Sequence, residues 1–185
     1  KDKKINVVYV VPEEIMLSPQ QKKMHRVVYN VFQQYTRSGL FNSMWLFSNE
    51  QISNMIPTIT MDNMWDKVNE AIANAMENVI YHRGQKPFIG SHHTQREISR
   101  IMTIEYGNLE NNEEKLYFSL DNITESCYIN IISEKEMKEN KDLLNTLKKK
   151  VIDDIEEKIT SSFTVFKSEY DQSFYYAIHF THFLQ

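Results

Sequence analysis

From Ile101 to Ile132 the chain reads IMTIEYGNLENNEEKLYFSLDNITESCYINII, and the spacing of its apolar residues decides the fold class. Met102, Ile104 and Tyr106 alternate with more polar neighbours, as do Leu116, Phe118 and Leu120, and then Cys127, Ile129 and Ile131. A period of two sends successive side chains to opposite faces of a strand, so the three groups read as half-buried strands. Turn-rich segments at 107–114 and 121–125 separate them. Such short connections predict an antiparallel meander.

Upstream of this stretch the period is that of a helix. Ser18-Pro19-Gln20-Gln21 is a capping box with proline at the first helical position. Met24, Val27, Val28, Val31, Phe32 and Tyr35 follow at spacings of three and four, and Gly39 can supply a left-handed C-cap. A second amphipathic helix runs from Met61 through Met64, Trp65, Val68, Ile72, Ala75, Met76, Val79 and Ile80. Thr60 or Asp62 would cap it and Gly84 would end it. The run Ile5–Val11 (INVVYVV) is nearly all β-branched and is closed by Pro12, which reads as a central strand buried on both faces. Ser43–Ser48 is a short strand, and the polar stretch 85–96 a loop or edge strand.

Downstream, Ser133-Glu134-Lys135-Glu136 opens a further capping box. The seam Met137, Leu144, Leu147, Val151, Ile155 and Ile159 predicts one helix of about 28 residues, roughly 40 Å long. Phe163–Tyr170 and Phe174–Leu184 read as a hairpin across Asp171-Gln172-Ser173. Interleaved helices with antiparallel hairpins make an α+β fold. We expect a single domain over residues 1–185 with a mixed, largely antiparallel sheet and three amphipathic helices, residues 1–4 being a polar N-terminal arm.

Composition narrows the function classes. The 185 residues are 41% hydrophobic and 12% aromatic with a net charge of −4, which excludes a disordered chain. The single cysteine, Cys127, excludes an internal disulfide and any cysteine-based zinc cluster. Its place on the face of Ile129 and Ile131 makes it a buried small residue rather than a nucleophile. No apolar stretch approaches the roughly 20 residues of a membrane span, so a soluble domain is expected. Lys1-Asp2-Lys3-Lys4, without an initiator Met or an apolar segment behind it, reads as a processed start and is compatible with an envelope or virion protein. Asn122-Ile123-Thr124 is a glycosylation sequon in an expected turn. Charge divides unevenly: residues 1–100 carry +3 and hold all five arginines, and residues 101–185 carry −7. Such a division can orient a domain on an anionic partner.

The most pointed chemical pattern is a pair of His-x-Thr tripeptides, His92-His93-Thr94 and His179-Phe180-Thr181. On a strand, residues i and i+2 share a face, so each tripeptide would present an imidazole beside a hydroxyl. Two such units facing each other place a general base and a general acid on either side of a phosphodiester, with the hydroxyls on its oxygens. The arrangement resembles the two-histidine phosphoesterases, whose two His-x-Ser/Thr motifs lie on paired strands. The resemblance covers six residues and implies His92, Thr94, His179 and Thr181 as catalytic groups.

Other chemistry is thinly represented. No metal site is expected, because His92 and His93 point to opposite faces of a strand and no His-x-x-x-His spacing joins them to His82. No cofactor is expected either, since the four glycines stand singly and form neither a P-loop nor a G-x-G-x-x-G turn. Lys22, Arg26 and Arg37 with Gln33 line the first helix, but a pI near 5.9 argues on electrostatic grounds against a nucleic-acid partner. Trp45 and Met55, and Phe174, Tyr175, Phe180 and Phe183 in the last strand, are the expected contact residues for a protein partner or a second copy. The sequence thus points to a non-catalytic protein-binding or assembly module of a larger cell-envelope, virion or multiprotein complex. A two-histidine phosphoesterase is the alternative.

Overall fold

Local signals place the first helix where the sequence puts it. In the computed structural model, which describes residues 4–109 and 113–185, Ser18 accepts the amide hydrogen of Gln21 while the Gln21 side chain accepts that of Ser18 at 2.9 Å. This reciprocal pair starts α1 (Pro19–Arg37), and Gly39 ends it at φ +83°, a left-handed conformation that side chains disfavour. The other elements are β1 (Asn6–Val11), β2 (Ser43–Ser48), α2 (Asn49–Met55), α3 (Met64–Arg83), β3 (Ile89–Gly90), β4 (Ile101–Asn108), β5 (Glu113–Leu116) and β6 (Glu125–Ser133). They are followed by α4 (Glu134–Glu139), α5 (Leu143–Glu156), β7 (Thr160–Ser168) and β8 (Phe174–Thr181). Of the expected N-terminal arm only Lys4 lies within the described residues.

All the strands join one mixed sheet in the order β1-β2-β4-β8-β6-β7-β3, with β5 added beside β4. β1, β2 and β4 are parallel to one another, and β6 is parallel to β7. Helices make the crossovers in each case, as parallel neighbours require. β8 lies between the two parallel groups and is antiparallel to both, pairing from Ile101↔Thr181 to Asn108↔Phe174 on one side and from Glu125↔Phe180 to Ile131↔Phe174 on the other. The α+β class with a mixed sheet therefore holds.

Several finer expectations do not. The hairpin of residues 163–184 is absent, because β6 separates β7 from β8. The cause is apolar side chains on both faces of β8: Tyr176, Ile178 and Phe180 on one, Tyr175 and Ala177 on the other, which only a central strand can bury. The meander shrinks to the β4–β5 hairpin, since β6 pairs with β7 and β8. In place of three helices there are five among the described residues. The 28-residue helix is two, broken where Asn140 caps α4 and its side-chain oxygen accepts the Asp142 amide at 3.1 Å. α3 begins at Asn63 without the expected cap from Thr60 or Asp62. β1 is an edge strand whose residues alternate between exposed and half-buried, with Val8 48% exposed. A run of β-branched residues signals a strand, but its position in the sheet depends on what packs beside it.

Two layers of helices cover the sheet. On one face Val68, Ile72, Ala75 and Val79 of α3 and Ile52 of α2 meet Trp45, Phe47, Met102, Ile104, Cys127, Ile129, Phe166, Ile178 and Phe180. On the other, Tyr29 and Phe32 of α1 pack on Met44, Leu46 and Ile101, and Leu143 and Leu147 of α5 pack on Ile132 and Val165. α1 spends its apolar stripe only in part: Phe32 is half-buried, but Met24 and Val27 are 63% and 61% exposed. Between α1 and α5 the sheet surface is mixed, with Tyr128, Tyr175 and Ala177 beside the polar Thr103, Ser126 and His179.

Gly107 fixes this second face at the β4–β8 pair. It sits opposite Tyr175, and a Cβ added there would overlap the phenol ring. That ring is buried and hydrogen-bonded, so it has nowhere to swing. We predict that Gly107→Ala lowers stability by about 2 kcal/mol, as overpacking of a rigid core does. In urea unfolding this is expected as a lower midpoint at unchanged slope.

Candidate functional site

The two histidine motifs lead to two different polar clusters, one on each face. The first is built around Glu125, at the start of β6 and wholly buried. Arg96 donates from Nε at 2.7 Å and from its own amide at 3.3 Å, His93 Nε2 lies 2.8 Å away, and the Ser99 hydroxyl donates to the other carboxylate oxygen. Arg96 also donates to the Thr124 carbonyl at 3.2 Å. The segment 93–99 is thereby clamped onto the start of β6 by a single carboxylate. Burial alone pushes the Glu125 carboxyl up, but Ser99, Arg96 and His93 together outweigh that and hold it below the ordinary 4.5.

The second cluster fills the surface between α1 and α5. Ser126 and Thr103 flank His179 across the sheet. The Ser126 hydroxyl and His179 Nδ1 are 3.0 Å apart, and His179 Nε2 faces Glu105 at 3.5 Å. Tyr175 donates its proton to Glu105 at 2.6 Å, and Lys150 of α5 donates to the Tyr175 oxygen at 2.7 Å and pairs with Glu114. Tyr128 donates to Asp154 at 3.0 Å, which ties α5 to β6. Burial raises the Glu105 carboxyl, yet His179, Tyr175 and Lys150 leave it below its ordinary value. The Tyr175 and Tyr128 hydroxyls are pushed far up by burial and by the carboxylates they face.

Ser126, His179 and Glu105 stand in the order of a hydrolytic triad, but the arrangement lacks access. Ser126 is 0% exposed, so no acyl or phosphoryl group can reach it. The cluster orders the centre of the sheet. Among the described residues no three His, Cys, Asp or Glu side chains converge as metal ligands.

The expected catalytic set is not assembled. His92 hydrogen-bonds the Gln85 carbonyl at 2.6 Å and faces Phe166, on the side of the sheet that α3 covers. His179 points to the opposite side, edge-on to Tyr128. Thr94 is exposed, and Thr181 donates to the Asn122 carbonyl at 2.9 Å. With the sheet between its two histidines, the phosphoesterase reading fails. The expected contact residues fare unevenly. Trp45, Tyr175 and Phe180 are buried inside the chain, Met55 and Phe174 pack against the core, and Phe183 alone is 44% exposed. His182 packs against Phe183 beyond the end of β8.

Glu125, Ser99, Glu105 and Lys150 escaped sequence reasoning, which assigns Tyr175 to a partner contact instead. The available signal was a carboxylate inside an otherwise apolar strand, at 105 and at 125. Such a residue must find partners or lose several kcal/mol of hydration.

No family model and no curated protein matches the sequence. Solved structures do share its fold. FtsZ of M. jannaschii, described as an empty dimer, is 12% identical with a TM-score of 0.62, the match covering 95% of this chain and 54% of that one. TubZ of Bacillus thuringiensis serovar israelensis, solved as GDP-form protofilaments, is 11% identical with a TM-score of 0.70, covering 98% of this chain and 54% of that one. CetZ2 of Haloferax volcanii, a GTPγS-bound protofilament, is 12% identical with a TM-score of 0.61, covering 97% and 56%. The chain spans about half the length of these structures. This fold, common to proteins solved as protofilaments, overturns the expectation of a binding module for an envelope or virion complex. Among the described residues no helix is long and apolar enough to cross a membrane.

The buried Glu125 and the half-buried Glu105 both tie stability to pH. A carboxyl whose folded pKa is depressed stabilises the protein above its unfolded value and loses that contribution as pH falls through the folded one. The melting temperature is therefore expected to drop as pH is lowered below about 4.5. Glu125→Gln should lower stability at neutral pH by about 2 kcal/mol and flatten this acid dependence, read by calorimetry across pH.

Proposed function

We propose that this chain is a filament-forming module that adds copy to copy, like the FtsZ, TubZ and CetZ proteins whose fold it shares. The observation that carries the reading is the fold match itself, which extends over 98% of the chain with a TM-score of 0.70 to a TubZ solved as protofilaments. Surface chemistry supports it. The sheet order puts β1 and β2, from the positive half of the sequence, at one side and β6 and β7, from the negative half, toward the other, where the two-residue β3 of the first half is outermost. Copies meeting with unlike sides attract within a Debye length, about 8 Å at physiological salt. A head-to-tail contact of that kind does not close on itself and builds an open polymer. Apolar surface for the contact is present on α1 and β1, where Met24, Val27 and Val8 are exposed, and at Phe183.

The neighbours are described in GDP and GTPγS forms, so nucleotide is a separate variable for this chain. Its glycines stand singly, and guanine-nucleotide binding and turnover are proposals to be measured alongside assembly. Sedimentation and negative-stain electron microscopy with GTPγS, with GDP and without nucleotide test the reading, phosphate release being followed in parallel. Pelletable filaments are expected, fewer as salt is raised. Replacing Met24 and Val27 together by glutamate should abolish them at unchanged melting temperature. A chain that stays monomeric in every nucleotide condition overturns the proposal.

A further inference from the structure

Three of the five arginines that crowd the first half of the sequence come together in the fold. A cleft of about 560 Å³ is lined by Arg83 from the end of α3, Arg96 and Arg100 from the segment before β4, and Lys4 ahead of β1. Glu97 is the one carboxylate among the described lining residues. Arg96 already serves Glu125. The other three cations have no carboxylate within ion-pair distance among the described residues. Their charge exceeds that of Glu97 by two.

Arg83 has a local reason for its place, since a cation at a helix C-terminus meets the negative end of the helix dipole. Arg100 lies beside the C-terminal end of α1 in the same way, and Lys4 has no such reason. Arg100 is moreover held in position: it donates to the Asn42 carbonyl at 3.3 Å, and its guanidinium lies against Gly39, where an added Cβ would approach it to 3.7 Å. Like charges from three separate segments repel at close quarters, and an anion between them relieves the repulsion. The cleft stands at the N-terminal ends of the parallel strands β1, β2 and β4, whereas open sheets of this kind ordinarily bind ligands at the carboxyl ends.

We infer that this cleft is an anion site for a phosphate-bearing ligand, with Arg83, Arg100 and Lys4 as its contacts and Arg96 as a wall fixed by Glu125. A carboxylate offers two coplanar oxygens, which one guanidinium fork satisfies. A di- or polyphosphate offers oxygens in several directions and matches cations that arrive from separate elements. The site is independent of filament formation, because binding is measured on unassembled protein.

Calorimetric titration of the full chain with inorganic pyrophosphate, at concentrations too low for assembly, tests the site. Binding is expected to weaken steeply as salt rises from about 50 to 200 mM. Arg83→Gln and Arg100→Gln should each weaken it about tenfold, and Glu97→Gln should tighten it. Arg83 is exposed, so its variant keeps the test valid even if Arg100→Gln unfolds, and melting curves monitor both. GDP and vesicles of phosphatidylcholine with added phosphatidic acid are further arms that separate a free phosphate from a lipid headgroup. Arginine-dependent binding in any arm supports the site. It is overturned if nothing binds, if binding is indifferent to Arg83→Gln, or if succinate binds as well as pyrophosphate.

Discussion

The structure depends on the insertion of β8 between β4 and β6. Without it the molecule is two parallel β-α-β groups with no shared hydrogen bonds in their sheets. With it, each strand of the junction is paired along its length, from Phe174 to Thr181 on one side and from Phe174 to Phe180 on the other. The last residues of the sequence thus close contacts with residues from its middle. Non-local pairing of this kind sets the order of assembly, since its loop entropy is lost before its contacts form.

A central strand has two faces to satisfy, and β8 does so in two ways. Tyr176, Ile178 and Phe180 join the apolar layer under α3. Tyr175 and His179 face the gap between α1 and α5, where no helix covers the sheet fully, and Glu105, Ser126 and Lys150 complete their hydrogen bonds. A half-satisfied cluster there would destabilise the fold more than an apolar one, because each unpaired group is desolvated at full penalty. Glu125 plays the corresponding part at the start of β6: its carboxylate anchors the segment that also carries Arg96 and Arg100. Order at the cationic cleft therefore derives from a buried acid that the cleft itself does not display.

Candidate sites were legible in the sequence only as residue types. The His-x-Thr tripeptides are real, but His92 sits in an exposed loop beside Phe166 and His179 on the far side of the sheet. A tripeptide fixes which residues are two apart, and a catalytic pair needs to know which strands are neighbours. The arginine bias of the first half was visible as a count. Its meaning changed once Arg83, Arg96 and Arg100 came to one cleft from positions separated by a helix end and a loop.

The sequence by itself determined what local physics controls: the capping box at Ser18, the left-handed turn at Gly39, the helix at 64–83, the strand at 101–108 and the alternation of β8. Tertiary structure alone decided the rest. It put β1 at an edge although its residues read as a core strand, split β7 from β8, and drew Glu105 and Glu125 into buried clusters. Periodicity records how a segment meets its own backbone and one neighbouring surface. Strand order and charge partnership are settled by competition among all segments for the same buried space, and that competition has no local signature.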